Sequence, residues 1–359
     1  MWRGWGIVTQ SQAVYGRLGE RIVVIGGRSG LAWLQPRLEP ILRELGIPTT
    51  WTPYGRDCAE DDLQRLRTHV ETHRITGIVG VGGGKALDTA KLIGHQTQRP
   101  VVTIPSSAAT CAGWTALSNV YSAAGAFAYD VALEQAPLAL LVDYELLATA
   151  PPRTLRAGIG DALAKWYEAS VSSGHSQDAL VIAAVQQARV LRDLLFQVSA
   201  AALRDPGSPA WVQAVDACVC LAGVIGGLGG ARCRTVAAHA VHNGLTHVSG
   251  SRSSWHGEKV AFGILVQLRL EELVQQSQLA YAARRELLRF YREIGLPLSP
   301  ADLFGRELGI PELEHAAEIA CLPTSDIHHL PFAVTPALVV TAMQTTLEEA
   351  PSAAVISSR

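Results

Sequence analysis

Short apolar runs closed by glycine or proline alternate, through the first 150 residues, with longer stretches whose apolar positions recur at helical spacing. Ile22-Val-Val-Ile-Gly-Gly27 reads as a strand buried on both faces, because no polar residue interrupts it, and Leu31 to Leu45 follows with a helical stripe. A second strand is predicted at Thr49 to Tyr54, a helix from Ala59 to His73, and a third strand at Gly77 to Val81. That strand runs into Gly82-Gly83-Gly84-Lys85 and a helix through Ile93. Strands at Pro100 to Pro105 and Ala139 to Val142 complete a doubly wound α/β pattern. Between them, Leu117 to Tyr121 and Ala126 to Tyr129 flank Ser122-Ala-Ala-Gly125, the signature of a small hairpin.

Pro151-Pro152 breaks this alternation. Beyond it, Thr154 to Val171 and Ser176 to Ala202 have helix-forming composition and little sign of strands. The expected organisation is an α/β dinucleotide-binding domain over 1–152 and an all-α domain over 153–359, with Pro351 to Arg359 frayed. Ala217 to Ala231 is the longest apolar stretch; it falls short of the ~20 residues that span a bilayer and reads as a buried helix.

Composition narrows the partners. With 359 residues, 48% of them hydrophobic, the chain can bury a large core. Thirty basic against 32 acidic residues give a net charge of −2, which argues against nucleic acid as the main partner. Six cysteines without a CxxC pair suit reduced thiols, and Met-Trp-Arg-Gly-Trp-Gly at the N-terminus does not resemble a targeting segment. A cytoplasmic, non-membrane protein is expected.

Two constellations carry chemistry. Three glycines between a strand and a helix let a ligand approach the backbone, and the helix N-terminus offers amides to an anion, so Gly82, Gly83, Gly84 and Lys85 outline a pyrophosphate site. Asp88 and Lys91 follow at helical spacing, as a cofactor contact or as a solvated helix face. The earlier turn, Gly26-Gly27-Arg28-Ser29, has no carboxylate to repel a 2′-phosphate, and Arg28 is suited to bind one, which admits NADP(H) beside NAD(H). The second constellation is His239, His242 and His256: imidazoles that suit a divalent transition metal, with Asp161 as a further ligand upstream.

Taken in order, Gly80-Val-Gly-Gly-Gly-Lys-Ala-Leu-Asp-Thr-Ala-Lys91, Thr103-Ile-Pro-Ser106, Thr115-Ala-Leu-Ser-Asn-Val-Tyr121, Ala157-Gly-Ile-Gly-Asp161, Ala238-His-Ala-Val-His-Asn-Gly244, His256-Gly-Glu-Lys259 and Ile327-His-His-Leu-Pro-Phe-Ala-Val-Thr-Pro336 resemble the glycerol-dehydrogenase branch of the iron-containing, or group III, alcohol dehydrogenases. The resemblance covers nearly the whole chain and implies a dehydroquinate-synthase-like architecture. It also implies metal ligation by Asp161, His239 and His256, and nicotinamide contacts from Ser106, Thr115, Leu117 and Tyr121. The implied activity is an NAD(P)-linked alcohol or polyol dehydrogenase that oxidises alcohols and diols or reduces ketones and aldehydes, assembled as a homo-oligomer. His242, three residues after His239, is a candidate for proton relay or substrate orientation.

Two positions depart from the family pattern. Lys165 stands where the iron-using relatives place a fourth ligand, a histidine, which favours Zn2+ over Fe2+. Cys111 stands where glycerol dehydrogenases place a polyol-binding aspartate, which argues against strict glycerol selectivity and marks Cys111 as a substrate-site residue rather than a nucleophile. An alternative on the same architecture is a cyclase or lyase that uses NAD transiently, as dehydroquinate synthase does. It would need a concentration of basic residues for an anionic substrate, and His239 to His256 carries none of that kind.

Overall fold

The computed structural model describes residues 1–233 and 235–348; the expectation for Pro351 to Arg359 lies outside them. Eight strands are present among these residues: β1 (Trp2–Gly4), β2 (Ile22–Gly26), β3 (Thr49–Pro53), β4 (Gly77–Gly82), β5 (Val101–Pro105), β6 (Leu117–Tyr121), β7 (Phe127–Ala132) and β8 (Ala139–Asp143). Six of them form one parallel sheet in the order β1-β8-β5-β4-β2-β3, and β6 and β7 make the antiparallel hairpin. Strand β1 is an element the sequence pattern does not reveal.

Alternate residues of each strand enter different cores. Val24, Val79, Val102 and Leu141 pack beneath the helix Arg28–Glu44, while Val23, Ile25, Ile78 and Val101 pack beneath the helices Glu60–Thr72 and Gly84–Thr97. Burying each such side chain contributes roughly 1.5–3 kcal/mol, so strands buried on both faces must read as continuous apolar runs.

The winding changes direction between β2 and β4, because the chain leaves β2 for β3 on one side and returns to place β4 on the other. In open α/β sheets the crevice at such a switch point, at the carboxyl ends of the strands, is where ligands bind. Here that crevice is flanked by Gly26-Gly27 and by Gly82-Gly83-Gly84.

After Pro152 the described elements are helical, including Pro152–Ser173, Ala179–Arg204, Ala237–Leu245 and His256–Gln275. Packing divides the chain elsewhere. One compact unit comprises Met1–Arg234 with Trp255–Gly257, and the other comprises Thr235–Ser254 and resumes at Glu258. The change from mixed to helical structure thus falls at Pro152, and the change of packing at Thr235. The apolar stretch lies within a continuous helical run, Pro209–Gly229, whose middle turn at Ala217–Leu221 is a π-helix. By length and composition this run could cross a membrane, but 61% of its apolar window is buried inside the protein.

Candidate active site

Gly82 ends β4 with φ +150°, a conformation that strains any side chain, and a Cβ there would lie 2.7 Å from the Cβ of Ala86. Its carbonyl accepts from the Ser106 amide at 2.9 Å, which ties the loop to the end of β5. Gly83 then starts the helix Gly84–Thr97 without a side-chain cap, so the first amides of that helix have no intrahelical or side-chain acceptor at the cap. An uncapped helix start of this kind offers amides from which an anion can accept hydrogen bonds.

Lys85 brings a partner that the sequence did not reveal. Its ammonium forms an ion pair with the buried Asp57 and lies 4.3 Å from the centroid of the Tyr121 ring. Burial raises the Tyr121 hydroxyl above the ordinary tyrosine range, so the ring works as an apolar and cation-π wall.

Asp88 and Lys91 do not form a solvated face. They are 4% and 2% exposed, and their side chains pair at 2.9 Å inside the fold. Lys91 also donates to the Thr115 carbonyl at 3.2 Å, to Thr115 Oγ1 at 2.9 Å and to the Leu117 carbonyl. Burial raises the Asp88 carboxyl, and the charge of Lys91 opposes that shift. Thr115 and Leu117 thus use their polar atoms to anchor the start of the hairpin on the helix behind the glycine loop.

At the other glycine turn, Gly27 is half-buried and donates to the Val81 carbonyl at 3.3 Å, while Arg28 and Ser29 are exposed at the start of the helix Arg28–Glu44. Immediately beyond β3, which neighbours β2, stand Tyr54, Gly55 and the exposed Arg56. The Asp62 carboxylate lies beside them and accepts from the Arg56 amide at 3.4 Å.

Asp161 lies in the middle of the helix Pro152–Ser173 and is 4% exposed; His256 is the first residue of the helix His256–Gln275. His256 Nε2 is 3.4 Å from Asp161 Oδ1. Two ligands bound tetrahedrally to one ion through bonds of ~2.1 Å stand about 3.4 Å apart, so this pair has the spacing that a shared ion requires. A backbone contact sets that spacing. A Cβ on Gly257 would be 1.8 Å from the carbonyl oxygen of Ala157 and 3.2 Å from the Asp161 Cβ, so the helix start can sit this close only with glycine.

His239 is 8% exposed on the helix Ala237–Leu245, and Asp161, His239 and His256 are three donors that could hold a metal ion. One carboxylate and two neutral imidazoles are the donors a divalent transition ion takes when it keeps positions open for substrate. The residues fit such an ion. His242 is buried on the same helix, with Nδ1 2.9 Å from Asn243 Oδ1. Lys165 is buried one turn after Asp161.

Cys111 is 8% exposed, just before the single turn Ala112–Trp114. Burial pushes its thiol up, with Lys165 pulling it down and Asp161 adding to the rise, so it is a neutral thiol close to the Asp161 end of the site. Trp114 packs over Gly223, where an added Cβ would lie 3.0 Å from the tryptophan Cβ.

Comparison with known proteins identifies the family. The sequence pattern described as iron-containing alcohol dehydrogenase matches residues 1–144. An uncharacterized oxidoreductase of Synechocystis sp. is 58% identical over 333 residues, which is 93% of this chain and 86% of that protein. A glycerol dehydrogenase of Escherichia coli O6:H1 is 35% identical, covering 91% of this chain and 89% of its own. The chain belongs to the iron-containing alcohol dehydrogenase family. Its fold agrees: the crystal structure of a probable glycerol dehydrogenase from Sinorhizobium meliloti 1021 superposes with a TM-score of 0.85 at 31% identity, covering 96% of this chain and 95% of that one.

Family membership makes this protein a glycerol-dehydrogenase-like oxidoreductase, a metal-dependent dehydrogenase of alcohols or polyols that uses a divalent metal and NAD(H). Asp57, which reaches Lys85 across 28 residues of sequence, is a residue of this half that motif reading did not place.

Proposed function

We propose that this dehydrogenase acts on small alcohols and diols, and in reverse on hydroxyketones and aldehydes, without strict selectivity for glycerol. The observation that carries the reading is Cys111. A buried neutral thiol near Asp161 is a weak hydrogen-bond acceptor, and it gives a third substrate hydroxyl nothing to pair with. A site that leaves a substrate hydroxyl unpaired discriminates against it modestly, by up to about 100-fold.

Asp161, His239 and His256 would hold the ion, with Zn2+ preferred over Fe2+. Support comes from the tetrahedral spacing of Asp161 and His256, from the three-donor set, and from Lys165 in the place of a fourth ligand. When bound, the ion would supply Lewis acidity that lowers the pKa of a substrate hydroxyl. The protein's own groups do the rest. The glycine loop and Lys85 bind the cofactor pyrophosphate, Tyr121 walls the hairpin side, and His242 moves or holds a proton on the face shared with His239. Arg28, exposed beside a turn without a carboxylate, supports binding of NADP(H) as well as NAD(H).

The test is a panel of glycerol, 1,2-diols, hydroxyketones and short aldehydes, run with NADH/NAD+ and NADPH/NADP+ after reconstitution with Zn2+ or Fe2+. The expected result is turnover with kcat/KM for a diol or aldehyde about tenfold or more above glycerol. Glycerol as the best substrate would overturn the Cys111 argument, and no cofactor turnover on any member would overturn the function itself.

A further inference from the structure

The helix that carries His239 starts without a cap of its own. Val236, at its N-cap, has φ −141° and ψ −123° and makes no side-chain cap bond, which leaves the first amides of Ala237–Leu245 to be satisfied from elsewhere. Gln267 supplies one acceptor. Its side chain is fully buried, and Oε1 accepts from the amide of Ala238, the residue preceding His239, at 3.3 Å. One turn earlier on the same helix, Gly263 permits the approach: a Cβ there would lie 2.3 Å from the Ala238 carbonyl oxygen and 2.9 Å from its Cα. At its other end the Gln267 amide is oriented, since Nε2 donates to Glu271 Oε1 at 3.4 Å. Ala238 is therefore held by a hydrogen bond at its amide and by close backbone packing at its carbonyl, both from one face of the helix His256–Gln275.

We propose that Gln267 is a positioning residue for the metal-binding reaction centre: it fixes the backbone of Ala238 and so the place from which the His239 imidazole reaches the ion. The inference rests on the reading of His239 as a ligand. An amide is suited to the task because it accepts at Ala238 and donates to Glu271 at once, whereas an apolar residue of equal length would leave a buried amide hydrogen without an acceptor. Partners one step removed from a metal ligand typically change affinity by about 10–100-fold when lost.

The experiment measures Zn2+ affinity of the full chain by chelator competition, the visible spectrum of the Co2+-loaded protein, and NADH binding. Gln267→Met is expected to weaken Zn2+ by about 10–100-fold and alter the Co2+ spectrum, with NADH affinity unchanged. The exchange variant Gln267→Glu with Glu271→Gln keeps one carboxylate and one amide in the pair and restores an acceptor for Ala238. It is expected to bind Zn2+ within about threefold of the wild type. Gln267→Met with wild-type Zn2+ affinity and Co2+ spectrum would overturn the proposal. So would an exchange variant that folds and loses Zn2+ by more than tenfold, and this second arm holds even if Gln267→Met does not fold. His239→Ala separates the two readings: loss of Zn2+ there with retention in Gln267→Met defeats this inference alone, and retention in His239→Ala defeats the ligand assignment and the inference with it.

Discussion

Replacing Gly257 by alanine should damage the metal centre far more than the fold. The added methyl would sit 1.8 Å from the Ala157 carbonyl oxygen and 2.6 Å from its carbon, both backbone atoms that no rotamer change can move. Restoring ordinary contact at about 3.4 Å requires the start of the helix His256–Gln275 and the helix Pro152–Ser173 to separate by about 1.5 Å. Overpacking of this kind costs roughly 1–3 kcal/mol, and the better helix propensity of alanine returns up to about 1 kcal/mol. The net loss of stability is about 0–3 kcal/mol. For the ion the same displacement is decisive. Asp161 and His256 would move from 3.4 Å apart toward about 5 Å, beyond what two bonds of ~2.1 Å to one ion can span. Zn2+ affinity should fall by about 100-fold or more while Tm falls by only a few degrees. Gly77→Ala is the matched control, because its Cβ would lie 2.3 Å from the Leu18 carbonyl oxygen, far along the chain from the ligands; it should lower Tm and leave Zn2+ affinity alone. Gly257→Ala with Zn2+ affinity within threefold of the wild type would refute the claim that this contact sets the ligand spacing.

Lys91→Met leaves Asp88 buried without its cation and removes the anchor of Thr115 and Leu117, so denaturant unfolding should show a loss of about 3–5 kcal/mol. Adding Asp88→Asn should recover a large part of it, and no recovery would mean that the hairpin anchor, not the charge pair, carries the energy. Glu271 has its carboxyl raised to about 7 by burial, with the Gln267 hydrogen bond opposing and Glu272 adding to the rise. Its folded form therefore keeps a proton that the unfolded chain releases near pH 4.5, and stability falls as pH rises from about 4.5 to about 7, by up to about 3 kcal/mol. Urea midpoints at pH 5, 6 and 8 should lose that part of the slope in Glu271→Gln, and identical slopes in the two proteins would contradict it. Arg28→Ala should raise KM for NADPH about tenfold and change KM for NADH little; equal changes for both cofactors would remove Arg28 from the 2′-phosphate site.

Much of the α/β half was legible because a parallel sheet buried on both faces leaves no polar position inside its strands. Ile22–Gly26, Gly77–Gly82 and Val101–Pro105 could hardly be read otherwise. Strand β1 escaped for the opposite reason: it is a three-residue edge strand, Trp2 and Arg3 are exposed, and its pairing with β8 bridges most of the domain's sequence. The solvated-face reading of Asp88 and Lys91 fails for a similar physical reason. Periodicity assigns polar residues to a solvated face, but Gly84–Thr97 is buried from Ala86 through Gly94, so no such face exists there and two charges must neutralise each other. Asp57, 28 residues from Lys85, left no local signal at all.

The proposed metal ligands follow from motif and family resemblance, but what would align them does not, and it consists largely of small residues. Each ligand stands beside a place where backbone meets backbone. Gly257, next to His256, abuts Ala157, one turn before Asp161; Gly158 abuts the Ala108 carbonyl; Gly263 abuts Ala238, next to His239. Contacts of this kind are stiffer than side-chain packing, because a carbonyl held in a helix has no rotamer by which to yield. A ligand spacing that must hold to a few tenths of an ångström is better set by such contacts than by large side chains, which relax. The glycines and alanines around Asp161, His239 and His256 thus belong to the metal centre as much as the donors do. Substitutions there should separate metal affinity from stability, whereas substitutions in the strands should change stability alone.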